Sequence, residues 1–319
     1  MLRRFGRETT LAGTLALLML ALAIFANGYF TGENLADLFL ENMPVMIVAL
    51  GMTLTILTGQ IDISVGSIFA VSSVVAAVSA RAGLSNFGAT LAACAVGALC
   101  SALNGALVAY VRVPSIVVTL ATMVALRDGL RWQTQGSWIG NLPSRFQWLG
   151  MTQRSFTLVS FILLAGLIFL FSAGLRNLHA GREIFATGSN EAAARIVGIN
   201  TSRVTFSVFV LTGVLTGLAA MLNSARFNQV PSNSGLGLEM KVIAAVVVGG
   251  ASITGGSGTI AGTVLGVILL GSIGTALTFL GVSAYWEKAI EGGIILGALT
   301  LNVLASYRQR HAKEGVLAG

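Results

Sequence analysis

Apolar runs, punctuated by charge or by Gly and Pro, follow one another along the whole of this chain. They fall at about residues 11–25, 44–58, 65–80, 88–110, 114–130, 156–171, 204–222, 240–253, 259–280 and 289–304. The sequence is 55% hydrophobic and 10% charged, with a mean hydropathy of +0.85. A soluble domain carries about 25% charged residues. No soluble core could hide this much apolar surface. The fold class is therefore an all-α polytopic membrane protein of about ten transmembrane helices, one membrane domain over residues 1–319.

An even number of spans places both termini on one side. With the N-terminus inside, Arg3, Arg4, Arg7, Arg112, the arginines of 176–203, Arg308, Arg310 and Lys313 face inward. Arg81, Arg131, Arg145, Arg154, Arg226, Lys241 and Lys288 face outward. The excess is inside, which predicts cytoplasmic N- and C-termini. The first run is long enough to span and lacks a cleavage site, so it reads as a helix and not as a removable signal. The acidic segment 33–41 carries an apolar stripe suited to lying at the interface, and Pro44 suits the first turn of the second span. The net charge of +7 comes from scattered loop arginines, with no basic, aromatic-interleaved patch, so no nucleic-acid partner is expected.

The longest mixed-charge stretch is 176–203. Inside it lies a short helix candidate over 190–197, capped by Ser189 or Asn190. Glu191 would sit in the first turn, followed by Ala192 and Ala193, with Arg195 near the end and Gly198 closing it. A rod of about 12 Å is too short and too polar to be a span. It reads as a surface knob, or as an ordinary loop with one helical turn.

Two Gly-rich elbows interrupt apolar sequence. One runs over 58–67, with Asp62, Ser64, Gly66 and Ser67. The other runs over 249–258, with Gly255, Gly256 and Gly258. Asp62, Ser64 and Ser257 are cap candidates. Each elbow is either a tight inter-helix turn or a broken helix on a substrate path. The inside-N topology puts both on the same side. Small residues spaced by four, at Gly258/Gly262/Gly266, Gly213/Gly217 and Gly293/Gly297, predict close helix packing.

No G-x-x-x-x-G-K-[ST] occurs, and no Lys follows any Gly, so a P-loop nucleotide site is absent. His179 and His311 have no ligand partners at metal spacing, and Cys94 and Cys100 read as small residues within an apolar run. No catalytic pairing is visible. Arg127 and Asp128 are expected to neutralise each other, and Glu287, Lys288 and Glu291 to sit at the interface. A neutral polar solute would be met by amide and aromatic groups. Candidates are Asn104, Trp132, Gln133, Trp138, Asn223, Asn228, Asn233, Tyr285 and Trp286, although Trp and Tyr at span ends, Trp148 included, also serve as interfacial anchors.

Four motifs converge on one family. G-Q-I-D-I-S-V-G-S at 59–67 resembles the G-G-I-D-L-S-V-G-S element of ribose-permease-like ABC importer permeases, with Gln60 in place of the commoner Gly. Residues 181–199 resemble that family's cytoplasmic G-R-x-x-x-A-x-G-x-N-x-x-A-A-x-x-x-G-I loop, 249–262 its G-G-x-S-x-x-G-G-x-G-x-x-x-G, and Gly281-Val282-Ser283 with Trp286 its element before the last span. G-S-W-I-G-N-L-P at 136–143 and S-G-L-G-L-E-M-K at 234–241 look like the rhamnose and autoinducer-2 branch.

The resemblance implies a type II importer-like permease of the bacterial inner membrane. It implies a second permease, two cytoplasmic ATPases that use ATP and Mg, a periplasmic solute-binding protein, and no cofactor on this chain. It also implies a cytoplasmic coupling loop at about 174–204, in which 189–198 docks into the ATPase. The expected activity is ATP-driven import of a sugar or sugar-like solute such as rhamnose, a ribose-like pentose or autoinducer-2. The alternative is a stand-alone ion-coupled transporter, which needs a carboxylate deep in a span; Asp128 is the nearest candidate. A membrane-embedded enzyme lacks paired catalytic groups.

Overall fold

A computed structural model describes residues 2–281, with side chains from Thr9, and beyond that Ser283, Trp286, 289–290, 292–293 and 296–297. Most of the tenth run lies outside the described residues, as do Tyr285, Glu287, Lys288, Glu291 and His311.

The described chain is helical: α1 Leu2–Phe25, α2 Gly32–Leu57, α3 Val65–Arg81, α4 Asn86–Ala106, α5 Ser115–Thr134, α6 Gln153–Asn177, α7 His179–Ser189, α8 Glu191–Ile196, α9 Thr201–Ser224, α10 Leu238–Val248 and α11 Ile260–Phe279. A π-turn, Leu107–Val111, continues α4. Among the described residues, five helices are long and apolar enough to cross a membrane: α2, α4 with its π-turn, α6, α9 and α11. At 11 residues, α10 reaches only about 16 Å, half of a hydrocarbon core.

Helix α2 is the axis of the bundle. From Met46 to Leu57 every residue is buried, and α6, α9, α10 and α11 pack round it. In α6, by contrast, only Phe156, Ser160 and Leu164 are fully buried; Leu163, Leu167 and Ile168 pack half-buried against the core, while Leu158, Ile162, Phe169 and Leu170 face outward, as lipid-facing sequence does. Buried hydroxyl pairs join the axis to its neighbours: Thr53 to Thr263 at 2.7 Å and Thr55 to Thr212 at 3.0 Å.

The expected break between an interfacial acidic segment and a span opening at Pro44 is not found. One helix, capped by Thr31, runs through Pro44 to Leu57. Proline lacks the N–H that would bond the carbonyl four residues back. Here that carbonyl, Leu40 O, accepts instead from Arg226 Nη1 at 2.8 Å. A long-range cation thus satisfies the group that the proline frees, and the helix continues.

Small residues bring α4 and α9 into backbone contact. A Cβ on Gly213 would strike Gly97 O, and one on Gly217 would strike Ala93 O. Gly262 and Gly266 likewise press α11 against Gly249 and Ala245 of the α10 side. The glycine pairs therefore pack within the subunit; around Gly293 and Gly297 nothing described lies within 4 Å. At one end of the bundle, Ile139 and Val230 form an antiparallel bridge that ties the segment after α5 to the segment after α9. Trp148, half-buried, lies edge-on against Phe156 at 5.3 Å and packs on the central core.

Candidate functional site

The two elbows and the mixed-charge stretch meet at one end of the bundle. In the second elbow, Gly256 N donates to Leu57 O at 2.9 Å, where α2 gives way to the first elbow. Gly188, one residue from the end of α7, lies against both: a Cβ there would collide with Leu57 O and the Gly256 nitrogen. A Cβ on Gly255 would meet Gly188 O and Gly59 N, each at 2.8 Å, and one on Gly256 would meet Ser189. Gly59, Gly255 and Gly256 also hold φ values of +78°, +87° and +73°, open without strain only to glycine. Three backbones approach here because each places a glycine at the joint: Gly59, Gly188, and Gly255 with Gly256.

The stretch between α6 and α9 forms two helices, not one. The extra one, α7, lays Ile184 against Leu54, Leu57 and Val208. Asn190 is the cap of α8, its Oδ1 accepting from Ala193 N at 3.0 Å; Ser189 ends α7 instead. Of α8 only Ala194 is buried, whereas Ala192 and Ala193 are exposed and Gly198, at φ +86°, closes the turn. Glu191 and Arg195 pair one turn apart. Thr201 bridges them, donating to Glu191 Oε1 at 3.0 Å and accepting from Arg195 Nε at 2.8 Å. Ile196 and Val197, 86% and 74% exposed, form an apolar tip that the sequence reading passed over. Beside α8 a cavity of about 380 Å³ is lined by Gln60, Arg112, Pro114, Glu191, Arg195 and Thr205, among others.

A second polar constellation lies deeper. Asp62 does not cap α3 in the ordinary way. Its Oδ1 accepts from Ser64 N at 2.9 Å and from Ser64 Oγ at 2.5 Å, folding the elbow before the helix begins. Asn104 Nδ2 donates to Ser64 Oγ at 2.9 Å, and Thr122 Oγ1 donates to Asn104 Oδ1 at 2.6 Å. Ser67 Oγ donates to Met123 O at 2.8 Å. Gly66 is pressed against Gly235 and the Glu239 carboxylate. Ser257 is no cap either, because Thr259 caps α11, accepting from Gly262 N at 3.0 Å.

The expected Arg127–Asp128 neutralisation is replaced. Arg127 faces Glu239 of α10 at 3.6 Å, while Asp128 is exposed and lies 3.9 Å from Arg131. Adjacent residues on a helix point about 100° apart, so they seldom pair across the same face. Of the solute candidates, Asn104 alone enters the buried network. Trp132 and Gln133 are exposed on the last turn of α5, Asn233 and Asn228 are exposed, and Asn223 is half-buried. No hydrogen bond among the described residues joins these to Asn104, and Trp132 lies about 15 Å further along α5 than Thr122.

The family model described as "Branched-chain amino acid transport system / permease component" matches residues 34–299. The chain is 36% identical over 298 residues to the "Autoinducer 2 import system permease protein LsrC" of Yersinia pseudotuberculosis serotype O:1b (strain IP 31758), covering 93% of this chain and 85% of that one. It is 35% identical, with the same coverage, to the proteins of that name in Yersinia pseudotuberculosis serotype O:3 (strain YPIII) and Yersinia pestis (strain Pestoides F). No solved structure matches. The chain, a multi-pass transport subunit and not an enzyme, therefore belongs to the branched-chain amino acid transport system / permease component family.

Proposed function

We propose that this chain is the permease subunit of an ATP-driven importer that carries a small sugar-like solute across the bacterial inner membrane. The observation that carries the reading is the joint at Gly188. A short, capped helix with an exposed apolar tip follows directly on α7, whose Gly188 is held by backbone contact against Leu57 and Gly256 at the two elbows. A push on α8 would pass through α7, on which it packs, to the end of α2 and to the second elbow. A subunit without a P-loop needs such an inlet, because the energy must come from a partner.

In this reading α8 is the coupling helix within the 174–204 loop. It docks on a cytoplasmic ATPase that binds ATP and Mg, and both termini lie on that side. The architecture is of type II with about ten spans. A second permease and a periplasmic solute-binding protein complete the assembly. The relatives' printed name supports autoinducer-2 or a similar polyhydroxylated solute, rhamnose and ribose-like pentoses included.

The test uses the complex purified with its ATPase and reconstituted with the binding protein. Ile196→Asp with Val197→Asp is expected to abolish co-purification of the ATPase and ATP-dependent uptake, while the permease stays monodisperse. Full retention of both sinks the docking assignment. A second reading, the ion-coupled transporter, draws its support from Asp62, which is fully buried with Oδ2 unpartnered. Solute uptake by vesicles that hold this chain alone would favour it.

A further inference from the structure

Helix α5 is built inside out. The residues it turns inward are Ser115, Val118, Thr119, Thr122, Met123, Leu126, Arg127, Leu130 and Thr134, at helical spacing. More than half of those are polar. Its outward face carries Ile116, Val117, Leu120 and Val124, all exposed. Its attachment to the body is largely polar, apart from Val118, which packs with Val108 and Phe209. Ser115 Oγ accepts from Ile61 N at 3.3 Å, Thr119 Oγ1 donates to Ile61 O at 3.4 Å, Thr122 bonds Asn104, Met123 O accepts from Ser67, and Arg127 faces Glu239. Along the same seam, buried atoms lack a hydrogen-bond partner: Asp62 Oδ2, Glu239 Oε2 and Arg127 Nη2, the last held only by its 3.6 Å ion pair with Glu239 Oε1. Asp62 is fully buried and Glu239 is 5% exposed.

An apolar environment penalises every unmet polar atom, so a seam that served only to hold α5 in place would be apolar or fully paired. Unmet carboxylate and guanidinium atoms are what a surface looks like when its other partner is absent. Resting on the importer reading above, we infer that α5 is a movable wall. Its seam with α3, α4 and α10 opens during turnover, and the hydroxyls of a polyhydroxylated solute then replace the hydrogen bonds that Ser64, Ser67, Asn104 and Thr122 make in the closed form. Exchange of like for like keeps the opening shallow in energy, because each bond lost between helices is regained to solute or water. Asp62 and the Arg127–Glu239 pair supply the strong acceptors and the donor that orient such a solute.

The test uses the complete transporter with its ATPase and binding protein, with Cys94→Ala and Cys100→Ala as background. Thr122→Cys is probed with a membrane-impermeant maleimide, and Val124→Cys, on the outward face of α5, is the control. The expected result is slow labelling at 122 in the idle complex, a several-fold faster rate once ATP and Mg are added, and no aqueous labelling at 124 in either state. Thr122→Val is expected to lose uptake while the complex still assembles, and Thr122→Ser to restore it. A position 122 that stays unlabelled while uptake proceeds overturns the inference, as does a rate that ATP leaves unchanged. Wild-type uptake is read in the same vesicles. Its independence from ATP would sink the importer reading itself, whereas ATP-driven uptake through a seam that never opens sinks the movable wall alone.

Discussion

Helices α9 and α5 both lean on α4, and opposite chemistry holds them there. Along α9 the contact is glycine on backbone: Gly213 against Gly97, and Gly217 against Ala93 and Cys94. Dispersion and shape fix that seam, and no water or solute has room to enter. Along α5 the contact is hydroxyl on amide, with Thr122 on Asn104 and Asn104 on Ser64. Such bonds between membrane helices are worth about 0.6 kcal/mol on average. The first seam has one good geometry, whereas the second can be traded for an equivalent set. The difference teaches which parts of a membrane bundle are frame and which can move.

The comparison can be broken most severely on the frame. Gly217→Leu forces a side chain into the Ala93 carbonyl and should cost about 3 kcal/mol or more. The expected outcome is loss of monodisperse protein in detergent and a collapsed Tm; a normal melt would show that α9 is not held by close approach. Next comes the joint between the loop and the elbows. Gly188→Ala, where a methyl meets Leu57 O and Gly256 N, should cost about 2 kcal/mol and detach the ATPase, read by co-purification at a temperature where the permease still melts cooperatively. An ATPase bound as before would place the docking elsewhere.

On the movable side the stability effect shrinks and the functional effect grows. Asn104→Leu removes the centre of the polar seam and should cost only about 1 kcal/mol in a denaturation series, yet abolish uptake. A large stability loss would make the seam part of the frame after all. Smallest in stability is the exposed Glu191–Arg195 pair: Glu191→Arg with Arg195→Glu should shift the melt by less than about 0.5 kcal/mol. ATP hydrolysis should continue while uptake falls. Unchanged uptake and unchanged stimulated hydrolysis would remove the pair from the coupling surface.

Much of the architecture was legible because lipid leaves a helix few options. The runs at 65–80, 156–171, 204–222 and 259–280 each mark a helix, and the short α8 with its Asn190 cap lies where its polar residues place it. Pro44 misled, since the chain read locally offers nothing to satisfy Leu40 O; the arginine that does so is 186 residues away. Arg127 misled for the same reason, its partner Glu239 coming from another helix. Asn104 stood out as an amide in an apolar run, but its partners Ser64 and Thr122 belong to two other segments. The apolar tip Ile196–Val197 went unread because exposed and buried hydrophobic residues look identical in a sequence this apolar.

By itself the sequence determined that the chain is a helical membrane protein, where most of its helices run, and that no P-loop lies in it. Hydropathy, glycine spacing and capping residues act over a few turns, and a bilayer enforces them. Only the tertiary structure decided that three distant glycine-containing segments share one joint, that α2 is the axis, and that α5 turns its polar face inward. Those outcomes depend on which backbones approach closely enough to exclude a Cβ, and on which buried polar atoms find a partner. Both are properties of the assembled bundle, set by contacts between residues far apart in the chain.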